Sequence, residues 1–128
     1  MKIQVLKSKI HRASVTDADL DYVGSIDICP KLMKAAGLIE NEKVLVANFV
    51  NGNRYETYAV SGEEGKIKVN GAGALYSKVG DILMIASFAM IDIDEDFKPK
   101  VVHVNKKNEI LEDLQDKDNM PGEPYKYD

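Results

Sequence analysis

The stretch DYVGSIDIC, residues 21–29, sets Gly24 directly before Ser25, where a strand-like, half-buried run is expected to stop. Glycine lacks a Cβ and reaches backbone angles closed to other residues. The bond between the two can therefore be bent until the serine oxygen approaches the preceding carbonyl. Attack of the Ser25 hydroxyl on the Gly24 carbonyl would exchange the amide for an ester. Elimination of that ester would leave a dehydroalanine, which hydrolyses to a pyruvoyl group, and the chain would be cut after Gly24. The dipeptide alone equally describes an ordinary turn. Arg54 suits a carboxylate clamp, because its planar fork makes two parallel charge-assisted hydrogen bonds; it also fits a solvated hairpin side chain. The glycine-rich NGAGA, residues 70–74, allows backbone amides to approach a ligand at Gly71, Ala72 and Gly73, or forms a plain turn.

These residues need a frame, and the patterning indicates short strands. Residues 2–6 and 8–15 alternate as two strands, and Lys2, Lys7, Lys9, His11 and Arg12 make this the most basic part of the chain. CPKLMKAAG carries helix punctuation: Pro30 suits the first helical position, Gly37 a left-handed C-cap, and Leu32, Met33 and Ala36 an apolar stripe. Cys29 stands at the cap and is not read as a nucleophile. VLVANFVNGNRYETYAV predicts a hairpin of strands near 44–50 and 53–60 around a type I′ turn at Asn51-Gly52. A short strand, the glycine-rich loop, a long strand near 82–91 and a final strand near 100–104 follow, and then a weak helix and a loose tail from about residue 105. The expected architecture is mainly β: one domain over residues 1–128, built as a small closed barrel with short helices.

Bulk properties narrow the function. The 45% apolar content is ordinary, and no apolar run approaches the length that spans a bilayer. The first twenty residues alternate in polarity and do not resemble a targeting signal. A single cysteine, Cys29, makes no internal disulfide and offers no metal cluster, which fits a cytoplasmic location. The net charge of −4, a good part of it in the last seventeen residues, gives no support to a nucleic-acid partner.

KIHRASVTDADLDYVGSIDI, AAGLIENEKV, NGNRYETYAV, VNGAGA and VGDILMIASF, in this order, resemble the aspartate 1-decarboxylases, which are pyruvoyl-dependent enzymes. The resemblance covers about residues 1–104. It implies a double-psi β-barrel, a homotetramer with sites between subunits, and a proenzyme that cuts itself at Gly24-Ser25 into a β chain, 1–24, and an α chain, 25–128. It also implies conversion of L-aspartate to β-alanine and CO2 for pantothenate biosynthesis. The pyruvoyl group derived from Ser25 would form a Schiff base with the substrate amine and act as the electron sink, with no metal and no pyridoxal phosphate.

The same resemblance makes Tyr58 the donor of the proton that replaces CO2, a role open to a phenol that is protonated at neutral pH. It ties Thr57 to cleavage and substrate contact, where its hydroxyl can stabilise the oxyanion formed as Ser25 attacks. It sets Lys9 and His11 near the site, able to hold the second carboxylate or support processing, and it draws in Tyr22. Asn70 can hydrogen-bond the carbonyl under attack. Gly73 departs from the commoner pattern, which has alanine there, and adds freedom to the loop. A regular strand puts Arg54 and Tyr58 on one face and Thr57 on the other, with Arg54 and Tyr58 separated by roughly 13 Å. Either the strand is strongly twisted or bulged, or the site draws on more than one subunit. The competing readings are a β-barrel binding module whose Gly-Ser is only a turn, and a decarboxylase of another amino diacid such as glutamate. Nothing in the sequence indicates whether a maturation factor takes part.

Overall fold

The computed structural model describes residues 1–112. Its strands are β1 (Lys2–Ser14), β2 (Asp17–Asp19), β3 (Ser25–Ile28), β4 (Lys43–Asn48), β5 (Arg54–Ser61), β6 (Ile67–Asn70), β7 (Ile82–Asp92) and β8 (Lys100–His103). One α-helix, α1 (Pro30–Ala36), and a 3-10 helix, Gly71–Leu75, complete the set. The strands form one eight-stranded sheet in the order β2-β6-β3-β5-β4-β7-β1-β8. No helix among the described residues is long and apolar enough to cross a membrane.

The mainly β expectation holds, but the ladder is not a closed ring: β2 and β8 are its two edges. Chain continuity nevertheless curls it. Only Val15 and Thr16 separate β1 from β2, yet six strand spacings lie between them in the sheet order, roughly 29 Å if the sheet were flat. Two residues reach about 7 Å, so the sheet must bend round on itself. Ile10, Ile26, Ile28, Leu32, Ile67, Leu83 and Ile85 fill the space inside and are fully buried or nearly so.

The N-terminal segment is one strand rather than two, because the break expected at residue 7 is a bulge. The β1–β7 register shifts between Leu6 and Ser8, and again between His11 and Ala13, where Arg12 takes φ 72°. A bulge inserts one extra residue without ending the ladder. The freed Lys7 side chain donates to the Gly37 carbonyl at 2.7 Å and pairs with Glu42 at 2.9 Å, which ties β1 to the end of α1. That helix follows its punctuation, with Pro30 at its start and Gly37 left-handed at φ 71°. Cys29 caps it without a side-chain hydrogen bond. Leu32, Met33 and Ala36 are buried, and Leu32 and Met33 each contribute roughly 1.5–3 kcal/mol of apolar burial.

Two turns differ from expectation. The run before Gly24-Ser25 does not end a strand; residues 20–24 form an exposed loop and β3 begins at Ser25. The β4–β5 connection is a five-residue loop, 49–53, rather than a two-residue type I′ turn, since only Gly52 takes positive φ. The Asn48 side chain accepts from Val50 N at 2.8 Å while Asn48 O accepts from Gly52 N at 2.8 Å, so the chain leaves the ladder before Asn51. After Val104 the chain makes a turn, bridged at Val104–Ile110, with Asn108 buried, and the weak helix expected beyond about residue 105 falls largely outside the described residues. Residues 113–128, the rest of the expected tail, lie outside the described residues.

Candidate active site

Ser25 opens β3 and is 5% exposed, directly after a loop in which Tyr22 and Val23 are 54% and 72% exposed. It pairs with Asn70 across the β3–β6 ladder. Asn70 Nδ2 donates to Ser25 Oγ at 3.1 Å, and Ser25 Oγ donates to Asp27 Oδ1 at 3.0 Å. The asparagine amide thus holds the Ser25 hydroxyl, not the carbonyl of Gly24. Asn70 Oδ1 is buried without a hydrogen-bond partner, a cost a protein tolerates where an incoming donor can use the atom.

Gly71 follows Asn70 at φ 67°, and a Cβ there would lie 2.8 Å from Gly24 Cα and 3.3 Å from Tyr22 O. The glycine-rich segment therefore presses its backbone onto Gly24, which no side chain at position 71 would permit. Its exit is anchored by Asn48, whose Nδ2 donates to Asp81 Oδ2 at 2.8 Å and Tyr76 O at 3.0 Å. Ala72 is exposed within the 3-10 helix, and Gly73 faces Tyr55 and Val69 at 3.0 and 3.1 Å from an ideal Cβ. Tyr22 lies over Lys68, whose Nζ is 4.6 Å from the ring centre.

β3 and β5 run parallel with Ile26 opposite Ala59. Continuing that register back by one residue sets Tyr58 beside Ser25, on the same face of the sheet. Thr57 pairs with buried Val44 and points to the opposite face. The β4–β5 register runs without a shift, so no bulge carries Thr57 round to Tyr58.

Arg54 and His11 occupy one row across the sheet, Arg54–Ala47–Met84–His11–His103, and Lys9 occupies the next such row with Glu56. They share the face of Tyr58, but β5, β4 and β7 stand between Ser25 and the strand that carries Lys9 and His11. A single chain thus assembles Ser25, Asp27, Asn70, Gly71 and Tyr58, and leaves Lys9, His11 and Arg54 elsewhere on the same face. Burial, with the nearby charges of Lys9, His103 and Arg12, lowers the His11 pKa to about 4. Its ring is 5.6 Å from His103 and 5.5 Å from Phe49. A neutral imidazole can serve a carboxylate by hydrogen bonding, not by charge.

The sequence pattern of the family described as aspartate decarboxylase matches residues 1–111. The chain belongs to the aspartate decarboxylase family. Similar proteins include the aspartate 1-decarboxylase of Campylobacter hominis, 52% identical over 114 residues, covering 88% of this chain and 100% of that one. The aspartate 1-decarboxylase of Caldicellulosiruptor bescii is 51% identical over 122 residues, covering 92% and 94% of the two chains. That of Acetivibrio thermocellus is 52% identical over 115 residues, covering 87% and 91%. For a member of this family, the Asp27 contact to Ser25 is the site feature that sequence reasoning passed over. Alternation along β3 could have found it, since residues two apart in a strand share a face.

Proposed function

We propose that the chain cuts itself between Gly24 and Ser25, into residues 1–24 and 25–128, and that a pyruvoyl group made from Ser25 serves the decarboxylation. As an aspartate decarboxylase the protein is a carboxy-lyase that converts L-aspartate to β-alanine and CO2, a step of pantothenate biosynthesis. The observation that carries the self-cutting is the setting of Ser25: a buried hydroxyl held by Asn70 and Asp27 beside a glycine over which Gly71 closes. The same setting fits the mature group, because Asn70 Nδ2, which donates to Ser25 Oγ, offers a donor for its carbonyl oxygen. That group supplies an electron sink for the bond to the departing carboxylate.

The chain's own residues supply the rest. Tyr58, beside Ser25 in register, delivers a proton from its Oη to the substrate carbon. Arg54 clamps a substrate carboxylate through its guanidinium, with Lys9 and His11 assisting. Gly71, Ala72 and Gly73 present the backbone to the substrate, Thr57 stabilises the oxyanion of the cleavage step, and Tyr22 lines the entry. The three strands between Ser25 and the strand of Lys9 and His11, and the four-residue step along β5 from Arg54 to Tyr58, support a homotetramer whose sites lie between subunits. The curl forced by the short β1–β2 link supports a double-psi barrel, and the single buried cysteine supports a cytoplasmic location.

Denaturing mass spectrometry of the purified protein tests the reading. Two fragments meeting at residues 24 and 25, the larger headed by pyruvoyl, are expected; an active but intact chain would sink it. Ser25→Ala should abolish both cleavage and CO2 release. Tyr58→Phe should cleave normally and lose about 100-fold or more in turnover, the usual contribution of a positioned acid. The opposite pattern would exchange the two roles.

A further inference from the structure

Self-cleavage begins with the Ser25 hydroxyl, and its proton needs a destination. Ser25 Oγ donates to Asp27 Oδ1 at 3.0 Å and accepts from Asn70 Nδ2 at 3.1 Å. With the O–H directed at a carboxylate and one lone pair engaged by Asn70, Oγ retains a second lone pair for attack. We propose that Asp27 is the base that takes the Ser25 hydroxyl proton in the self-cleavage step. This rests on the reading that the chain cuts itself.

The Oγ lone pair forms a bond to the Gly24 carbonyl carbon as the hydroxyl proton passes to the Asp27 carboxylate. Collapse of the tetrahedral intermediate breaks the Gly24–Ser25 C–N bond. The proton held by Asp27 is returned to the Ser25 nitrogen, which becomes a free amine, and Gly24 is left esterified to Oγ. Nothing enters or leaves the site in this step, so no co-reactant is required.

The surroundings hold the carboxylate in place. A Cβ on Gly62 would lie 3.0 Å from Asp27 Cβ, so the chain leaving β5 packs directly against the aspartate. On β5 its register neighbour is the uncharged Val60. On β6 its neighbour is Lys68, the cation of that row, and beyond it on β2 stands Asp17, paired with Lys66 at 3.6 Å and bonded to Thr16. Sequence spacing agrees, since residues two apart in a strand share a face and Asp27 stands two after Ser25 on β3.

The test follows cleavage by denaturing mass spectrometry of full-length chains sampled after cell-free synthesis. Asp27→Asn, which keeps the shape and a hydrogen-bond acceptor but is no base, should cut about 100-fold more slowly, while Asp27→Glu stays within about tenfold of wild type. Between about pH 6 and pH 8 the wild-type rate should stay level, as for a carboxylate base, whereas the Asp27→Asn rate climbs about tenfold per pH unit as hydroxide takes over. Added formate should accelerate Asp27→Ala. An Asp27→Asn chain that cuts at the wild-type rate with the wild-type pH profile overturns the role of Asp27 and leaves self-cleavage standing. An intact wild-type chain overturns self-cleavage, and this inference with it. Where Asp27→Asn lacks a melting transition, the wild-type profile decides: a rate that climbs tenfold per unit over that range overturns the role.

Discussion

At the scale of the residue, two glycines two positions from each other in one short loop do different work. Gly71 is required by backbone angle and by space, since it combines φ 67° with a 2.8 Å approach to Gly24 Cα. Gly71→Ala should cost about 1–3 kcal/mol, as strain and overpacking do elsewhere, and should slow cleavage in a time course. Gly73 has no positive φ, and a Cβ there would meet side-chain atoms of Tyr55 and Val69 at 3.0 and 3.1 Å. The looser loop expected from a glycine there gives way to close packing against Tyr55, whose hydroxyl lies 2.8 Å from Ser77 Oγ. Burial raises the Tyr55 pKa, and nearby Asp81 raises it further while the Ser77 bond opposes. Gly73→Ala should displace that ring and lower the melting temperature by a few degrees, about 1 kcal/mol, with cleavage unaffected. An unchanged melting curve would show that the ring gives way freely.

At the scale of the element, β1 is finished by a side chain from the other end of the described chain. Asn108 Oδ1 accepts from Ser14 N at 2.7 Å and its Nδ2 donates to Ser14 O at 3.0 Å, which reproduces the pairing a neighbouring strand would give. Asn108→Ala would leave both buried backbone groups unpaired. It should cost about 2–3 kcal/mol in chemical unfolding; a loss below about 0.5 kcal/mol would mean that water replaces the side chain. Short-range signals could not announce this clip, because its partners stand 94 residues apart. They did announce α1, whose Pro30 and Gly37 act within the helix itself. The hairpin fell between these cases: Asn51-Gly52 correctly marked a reversal, but the Asn48 side chain set where it began.

At the scale of the whole molecule, the distribution of charged groups over one sheet face predicts complementation between subunits. Ser25→Ala and Arg54→Ala chains, each inactive alone, should regain activity when coassembled. If each site takes Ser25 from one copy and Arg54 from another, about a quarter of the sites in an equal mixture are intact. No recovery would place both residues of a site in one copy. The same face carries a pH dependence. The His11 pKa lies near 4 in the folded chain and near 6.5 when unfolded, so below pH 6.5 the unfolded chain binds a proton that the folded chain does not. Stability contributed by the neutral ring is present above about pH 6.5 and is lost as pH falls toward 4, roughly 1–2 kcal/mol for this half-buried group. His11→Gln should flatten that part of the stability curve measured by urea unfolding; an unchanged slope would assign it to other groups.

The sequence by itself determined the mainly β character, the ends of α1, the family and the candidate residues, because alternation, caps and motif order are local properties of the chain. Which of those residues meet was decided by tertiary structure. Strand pairing set Ser25 between Asn70 and the register position of Tyr58, and it put three strands between Ser25 and the strand of Lys9 and His11. Register is a relation between distant segments, fixed by which faces can be buried together. For that reason Asp27, two residues from the serine and plainly visible in the sequence, acquired its meaning only when its oxygen was found to receive the serine's hydrogen bond.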